Sequence, residues 1–155
     1  MSIWVFIAYV IAHVIFKAVG ILAACKKVDR SVERSLRYST EDLRTAAANG
    51  RAYIFPFLFP LDLIVMLALA GSLALAAQYW GSPIWVVPAC VYLAFDLAED
   101  GLLVLMLSGH VPISDRTVPV LKVLTGIKLL TVWIAEFIAL AAFAVALGHW
   151  LGWLS

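Results

Sequence analysis

Charge is what this sequence has least of. Only 14% of its 155 residues are charged, against about 25% in a soluble domain of ordinary composition. Too few charged side chains are present to coat a water-exposed surface, which excludes an ordinary soluble fold. Cysteine is as scarce. Cys25 and Cys90 are the only two, too few for a disulfide framework, and neither sits in a CxxC or Cys/His spacing that would bind metal. Both are expected to be small apolar packing residues. The sequence also lacks a Walker loop, a Rossmann fingerprint, an HExxH pair, a nucleophile elbow and a haem attachment motif. No cofactor is therefore expected. The net charge of +1 says nothing about partners, but the aromatics gathered near the ends of apolar runs form no nucleic-acid surface, and none is expected.

What is present is apolar and unevenly distributed. Hydrophobic residues make up 65% of the chain and the mean hydropathy is +1.01. Apolar runs cover about residues 3–24, 53–77, 84–107 and 118–147, each near the ~20 residues that cross ~30 Å of hydrocarbon. The predicted fold is an all-α integral membrane bundle of four transmembrane helices, forming a single domain over residues 1–155. The last run is long enough to tilt or to project. Leu22-Ala23-Ala24-Cys25 matches a bacterial lipobox. The preceding segment lacks a basic start and carries His13 and Lys17, so it reads as a span rather than a signal peptide.

Basic residues set the orientation. The loop over residues 25–52 carries Lys26, Lys27, Arg30, Arg34, Arg37, Arg44 and Arg51, while the turn Gly81-Ser82-Pro83 has no charge. The positive-inside rule puts the first and third loops in the cytoplasm and both termini outside, in a multi-pass protein of the inner membrane. Tyr79, Trp80, Trp85, Trp150 and Trp153 then collect at the outer interface, where amphipathic rings belong. Within the basic loop, Ser39-Thr40-Glu41-Asp42 predicts a capped helix start. Pro56 and Pro60 predict an irregular beginning to the second span.

Ionisable residues inside the spans carry the functional signal. Counted from the cytoplasmic ends at ~1.5 Å per residue, Lys17, His13, Asp62, Asp96, Glu99, Asp100 and Lys128 all fall about 10–18 Å deep. Asp96, Glu99 and Asp100 are spaced i, i+3 and i+4, which makes one acidic stripe, and His13 and Lys17 share a face in the same way. Each charge facing lipid would cost ~2.5–3.5 kcal/mol, so the acids are expected to turn inward and pair with Lys17 and Lys128. The carboxyls outnumber the lysines, and the excess must be protonated, hydrated or neutralised by a cation. Glu136 reads as a second polar contact nearer the outer side, His110 and His149 as interfacial, and Lys122 as a snorkelling residue.

Pro60-Leu61-Asp62 together with Asp96-Leu97-Ala98-Glu99-Asp100 resembles a loose group of uncharacterised small four-span bacterial membrane proteins. Their second motif commonly reads Asp-x-x-Glu-Asn, and a later lysine in an apolar helix is similar to Lys128. Asp100 stands here in place of the asparagine and adds an acid. The resemblance covers the second to fourth spans and implies no activity. The four-span plan is also similar to that of membrane-associated eicosanoid and glutathione enzymes, but Arg44, Asn49 and Arg51 echo their glutathione site only faintly and Asp62 departs from it.

Three functions fit this pattern. In the leading one the polar layer of His13, Lys17, Asp62, Asp96, Glu99, Asp100 and Lys128 binds a proton, a cation or a small polar ligand. The protein would be a minimal transporter unit or accessory subunit, in the lipid bilayer, with further copies of itself or another membrane subunit as partner. In the second, Asp96, Glu99 and Asp62 act as acid and base on a lipid or isoprenoid. In the third, the charges only set helix packing.

Overall fold

The computed structural model describes residues 3–25, 36–48, 50 and 54–153. Among them every regular element is helical and none is a strand. Helix α1 covers Ile3–Cys25, a short α2 covers Thr40–Ala48, α3 covers Leu63–Ala77, α4 covers Val87–Leu107 and α5 covers Thr117–Trp150. Two helical stretches are long and apolar enough to cross a membrane, Phe57–Trp80 and Thr117–Trp150, and Ile3–Val19 is a shorter apolar helix. Helix α4 has 21 residues, enough length for a span, but its three central acids keep it from reading as a lone membrane-crossing helix. The basic residues Lys26, Lys27, Arg30, Arg34 and Arg51, together with Asn49 and the side chain of Cys25, lie outside the described residues.

Prolines shape the lead-in to α3. Over Ile54–Asp62 the helix is broken by extended backbone at Phe55 (φ −113°, ψ 125°) and Phe59 (φ −134°, ψ 124°). Each immediately precedes a proline, whose ring disfavours helical backbone in the residue before it. Regular helix begins only after Pro60, at Leu63.

The α4–α5 contact is the most extensive in the molecule, and its buried residues show why. On α4 they are Ala89, Tyr92, Asp96, Glu99, Leu103 and Met106. On α5 the stripe runs through Val118, Leu121, Thr125, Lys128, Ala135, Ala139 and Ala142. Alternating steps of three and four mark a coiled-coil seam. Polar residues therefore occupy seam positions rather than an outer face. They separate two apolar clusters: Met66, Leu69, Leu73, Tyr92, Ala135 and Ala139 on one side, and Leu43, Leu58, Leu103, Met106 and Leu121 on the other. Cys90, expected in the core, is instead exposed beside Val86, Val87 and Val91. Its neighbours Ala89 and Tyr92 take the seam, and one residue of helix turns a side chain about 100° away.

The two connecting segments at the Tyr38 end of the bundle are tied together. Ser39 N–H donates to Asp42 Oδ2 (2.6 Å) and Asp42 N–H to Ser39 Oγ (3.2 Å), the reciprocal cap that the sequence predicts. Thr40 Oγ1 donates to Asp115 Oδ1 across the two segments (3.1 Å), and Leu43 buries itself completely in the lower cluster. Helix α4 stops at Gly109 (φ 81°), where His110 N–H reaches Leu105 O (2.9 Å) and Gly109 N–H reaches Met106 O (3.1 Å), a Schellman closure. Gly50 presses on this stop, since a Cβ there would lie 2.7 Å from Leu107 O.

Two outcomes follow from this end of the molecule. Gly50→Ala forces a backbone shift and should lower stability by about 1–3 kcal/mol in thermal unfolding, as overpacking does; an unchanged melting curve would contradict the contact. Hydrogen bonds from Ser39 hold the Asp42 carboxyl below its ordinary pKa. Its contribution is therefore complete above the ordinary carboxylate range and fades as pH falls through the lowered value. Amide exchange in α2 should accelerate under acid, and Asp42→Ala should give that faster exchange already at neutral pH.

Candidate functional site

Helices α4 and α5 place their charges by seam position. Lys128 Nζ lies 2.7 Å from Asp96 Oδ1 and also contacts Glu99 Oε2. Glu99 is fully buried and Lys128 is 7% exposed. The other carboxylate oxygen of Glu99 accepts a hydrogen bond from Thr125 Oγ1 (2.5 Å). One ammonium thus serves two carboxylates in an apolar surround, where charges persist only when paired and hydrogen-bonded.

A second group of acids adjoins this triad. The carboxylates of Asp62, Asp96 and Asp100 each offer an oxygen within 4.8 Å of the others. Asp62 arrives from the proline-broken lead-in to α3, and Asp100 is turned partly off the α4 seam, half-buried. Tyr92, one turn from Asp96, lies against Asp96 and within electrostatic reach of Asp62 and Asp100. Oxygen donors from acids at this spacing suit a hard cation.

Asp62 and Asp96 open onto a cavity of about 420 Å³ between α1, α3, α4 and α5. His13, Lys17, Asp62, Tyr92, Asp96, Lys128 and Glu136 supply its polar lining, and Phe16, Leu69, Val132 and Trp133 supply apolar walls. Lys17 reaches it from an exposed position on α1. Glu99 does not line it and sits behind Lys128. The acidic stripe is therefore split: Asp96 lines the cavity, Glu99 turns away from it, and Asp100 joins Asp62 and Asp96 in the carboxylate cluster without lining the cavity.

His13 completes the other end. Its Nδ1 lies 3.1 Å from Tyr9 O and its Nε2 lies 3.1 Å from Glu136 Oε1. A carbonyl only accepts, so Nδ1 carries a hydrogen. Nε2 must then either donate to a carboxylate, making His13 an imidazolium, or accept from a protonated Glu136. In both arrangements the pair is neutral overall and shares one mobile proton. Glu136, expected as a separate contact, is thus part of the site.

Four contributors carry no signal in a search for charged residues alone, or are masked by depth: Glu136, Tyr92, Thr125 and Tyr38. Tyr38, just before α2, is 3% exposed and lies against Thr125, near Glu99 and Lys128. Burial raises its pKa above the ordinary tyrosine value, so the hydroxyl keeps its proton at neutral pH. Lys122 Nζ stands 5.1 Å from the centre of its ring. His110 is exposed and meets Ser108 Oγ (2.8 Å), away from the site. No protein-family model, curated protein or solved structure matches the chain, so what the site can do rests on its own geometry.

Lys128→Met would strand Asp96 and Glu99 in the core and should cost about 3–5 kcal/mol, as loss of one member of a buried pair does. Adding Asp96→Asn and Glu99→Gln to it should recover most of that stability in denaturant unfolding. Failure of the triple variant to recover would show that the charges are not the reason for the loss.

Proposed function

We propose that this chain is a multi-pass inner-membrane protein whose polar cavity binds a cation, the proton included, as a minimal transporter unit or accessory subunit. In this reading α1, Phe57–Trp80, α4 and α5 each cross the bilayer, with the α2 end in the cytoplasm and both termini outside. The distribution of side chains supports it. Leu130, Trp133, Phe137 and Leu140 point outward from α5, with Phe137 75% exposed, while Lys128 and Thr125 point in. Only 22% of the most apolar stretch of α5 is buried, which suits lipid contact and not the core helix of a water-soluble domain. The tie between Thr40 and Asp115 agrees with the first and third loops lying on one side of the membrane.

The observation that carries the function is the crowding of carboxylates beside the cavity. Asp62, Asp96 and Asp100 each bring an oxygen within 4.8 Å of the others, and Asp62 and Asp96 line the cavity. A proton or a bound cation relieves the repulsion between like charges held this close. The three clustered carboxylates of Asp62, Asp96 and Asp100 are where such a cation would be held. Transport by so small a chain would need an oligomer or a second membrane subunit to complete a path.

The apolar walls of Phe16, Leu69, Val132 and Trp133 beside the acids favour a second reading, an enzyme acting on a lipid or isoprenoid with Asp96 and Asp62 as acid and base. Melting of the purified protein across a pH series, with Na⁺, Mg²⁺ or tetramethylammonium, separates the two. On the cation reading one of these raises stability, by ~2.7 kcal/mol at about a hundred times its Kd. Asp96→Asn with Glu99→Gln then flattens both the cation and the pH response. Profiles identical in wild type and variant reject it. A lipid retained by the wild type in native mass spectrometry and lost from the variant selects the enzyme.

A further inference from the structure

The polar cavity is large for a metal ion. A hard cation with oxygen ligands at ~2.3–2.6 Å would leave most of its 420 Å³ unfilled. Aromatic rings stand among the acids: Phe16, Tyr92 and Trp133 line the cavity together with Asp62 and Asp96. Carboxylates mixed with aromatic faces suit an ammonium that carries carbon substituents. The bases in the lining leave room for one. Lys128 is held between Asp96 and Glu99, and His13 is held by Glu136. Lys17 is exposed on α1, with an arm long enough to carry its charge out of the cavity.

A second cavity, of about 570 Å³, follows the first along the same two helices. On α5 the polar cavity takes Leu129, Val132, Trp133 and Glu136, and the second continues through Leu140, Phe143, Ala144 and Leu147. Steps of three and four keep these residues on one face. On α1, Lys17 and His13 belong to the first cavity and Phe6 and Ile3 to the second, again along one face. Apart from the Trp150 indole, every side chain lining the second cavity is purely hydrocarbon. At the junction the Tyr9 ring lies 4.3 Å from that of His13 and 5.5 Å from that of Phe143, centre to centre.

The junction is open on its flank. Helix α1 packs mainly on α3, and the His13 and Glu136 side chains keep 33% and 25% of their surface exposed between α1 and α5. Within a bilayer, a polar pair turned to lipid is costly, so a molecule with a polar end is a better neighbour for it than hydrocarbon alone.

We propose that the two cavities form one site for an amphiphilic amine, entered sideways from the bilayer between α1 and α5. The ammonium head occupies the polar cavity beside Asp62 and Asp96, and the alkyl tail lies along Phe6, Leu140 and Phe143. Tyr9 and the His13–Glu136 pair mark the boundary between head and tail. This inference rests on the cation-binding reading above and names the class of cation. Lipid is as apolar as the groove, so the tail contributes through fit and through holding the head at the acids.

The test melts the purified full chain in neutral detergent with Na⁺, Mg²⁺, tetramethylammonium or octyltrimethylammonium, in wild type and in Ala144→Trp. Ala144 is exposed, so the indole fills the groove without entering the core. Both ammonium ions should raise the melting temperature of wild type, the octyl compound at the lower concentration. Ala144→Trp should need about tenfold more octyltrimethylammonium, the scale of an overpacked contact, and should answer tetramethylammonium as wild type does. An octyl response equal in the two proteins overturns the tail site. Stabilisation by Na⁺ or Mg²⁺ with none by either ammonium ion overturns the inference and leaves the cation reading standing. Melting that ignores all four removes the cation reading and the inference with it. If Ala144→Trp fails to fold, Leu140→Trp, at another exposed position of the groove, is judged by the same outcomes.

Discussion

Lys128 is the contact on which the arrangement depends. It stands between Asp96 and Glu99 in the α4–α5 seam, with apolar layers on both sides. Slipping one helix by a heptad would set the ammonium against Ala89 and Tyr92, or against Leu103 and Met106. Either slip strands the lysine and both acids in apolar surroundings, so only one register leaves no buried charge unpaired. The small residues Ala135, Ala139 and Ala142 let the helices approach closely but would tolerate other registers. Specificity comes from the ion triad and close packing from the alanines.

The same triad divides the site into two compartments. Asp62, Asp96 and the His13–Glu136 pair border the cavity, while Glu99 and Thr125 are sealed behind Lys128 among buried side chains. Lys128 joins the two, since it lines the cavity and also contacts Glu99.

Much of this was legible before any coordinates. Depth counting along the apolar runs picks out every charged member near the triad, and Ser39 to Asp42 and the two prolines announce the cap and the broken lead-in. What escaped has physical reasons. Thr125 and Tyr92 are neutral, so a search for costly charges passes over them, although a seam count three back from Lys128 and four back from Asp96 lands on both. Glu136 is eight residues beyond Lys128 and looks remote until α1 packs across α5 and brings His13 to it. Tyr38 belongs to a loop, where no helical period relates it to Glu99. Cys90 shows the complementary limit: apolar composition places a residue in a span without telling which face it takes.

Thr125 lies eight residues from the first residue of α5, about 12 Å along the axis of a helix that would traverse ~30 Å of hydrocarbon. If the hydrocarbon begins at the first residue of α5, the ion triad stands less than halfway through the voltage drop of a polarised membrane. A whole crossing is worth ~2.3 kcal/mol per 100 mV, so this partial one is worth roughly 1 kcal/mol. A charge bound beside the triad from that end would then respond only weakly to membrane potential, while the remainder of the field falls across the apolar layer of Ala135 and Ala139 and the His13–Glu136 pair. Most of the electrical work would belong to the far half of the bundle.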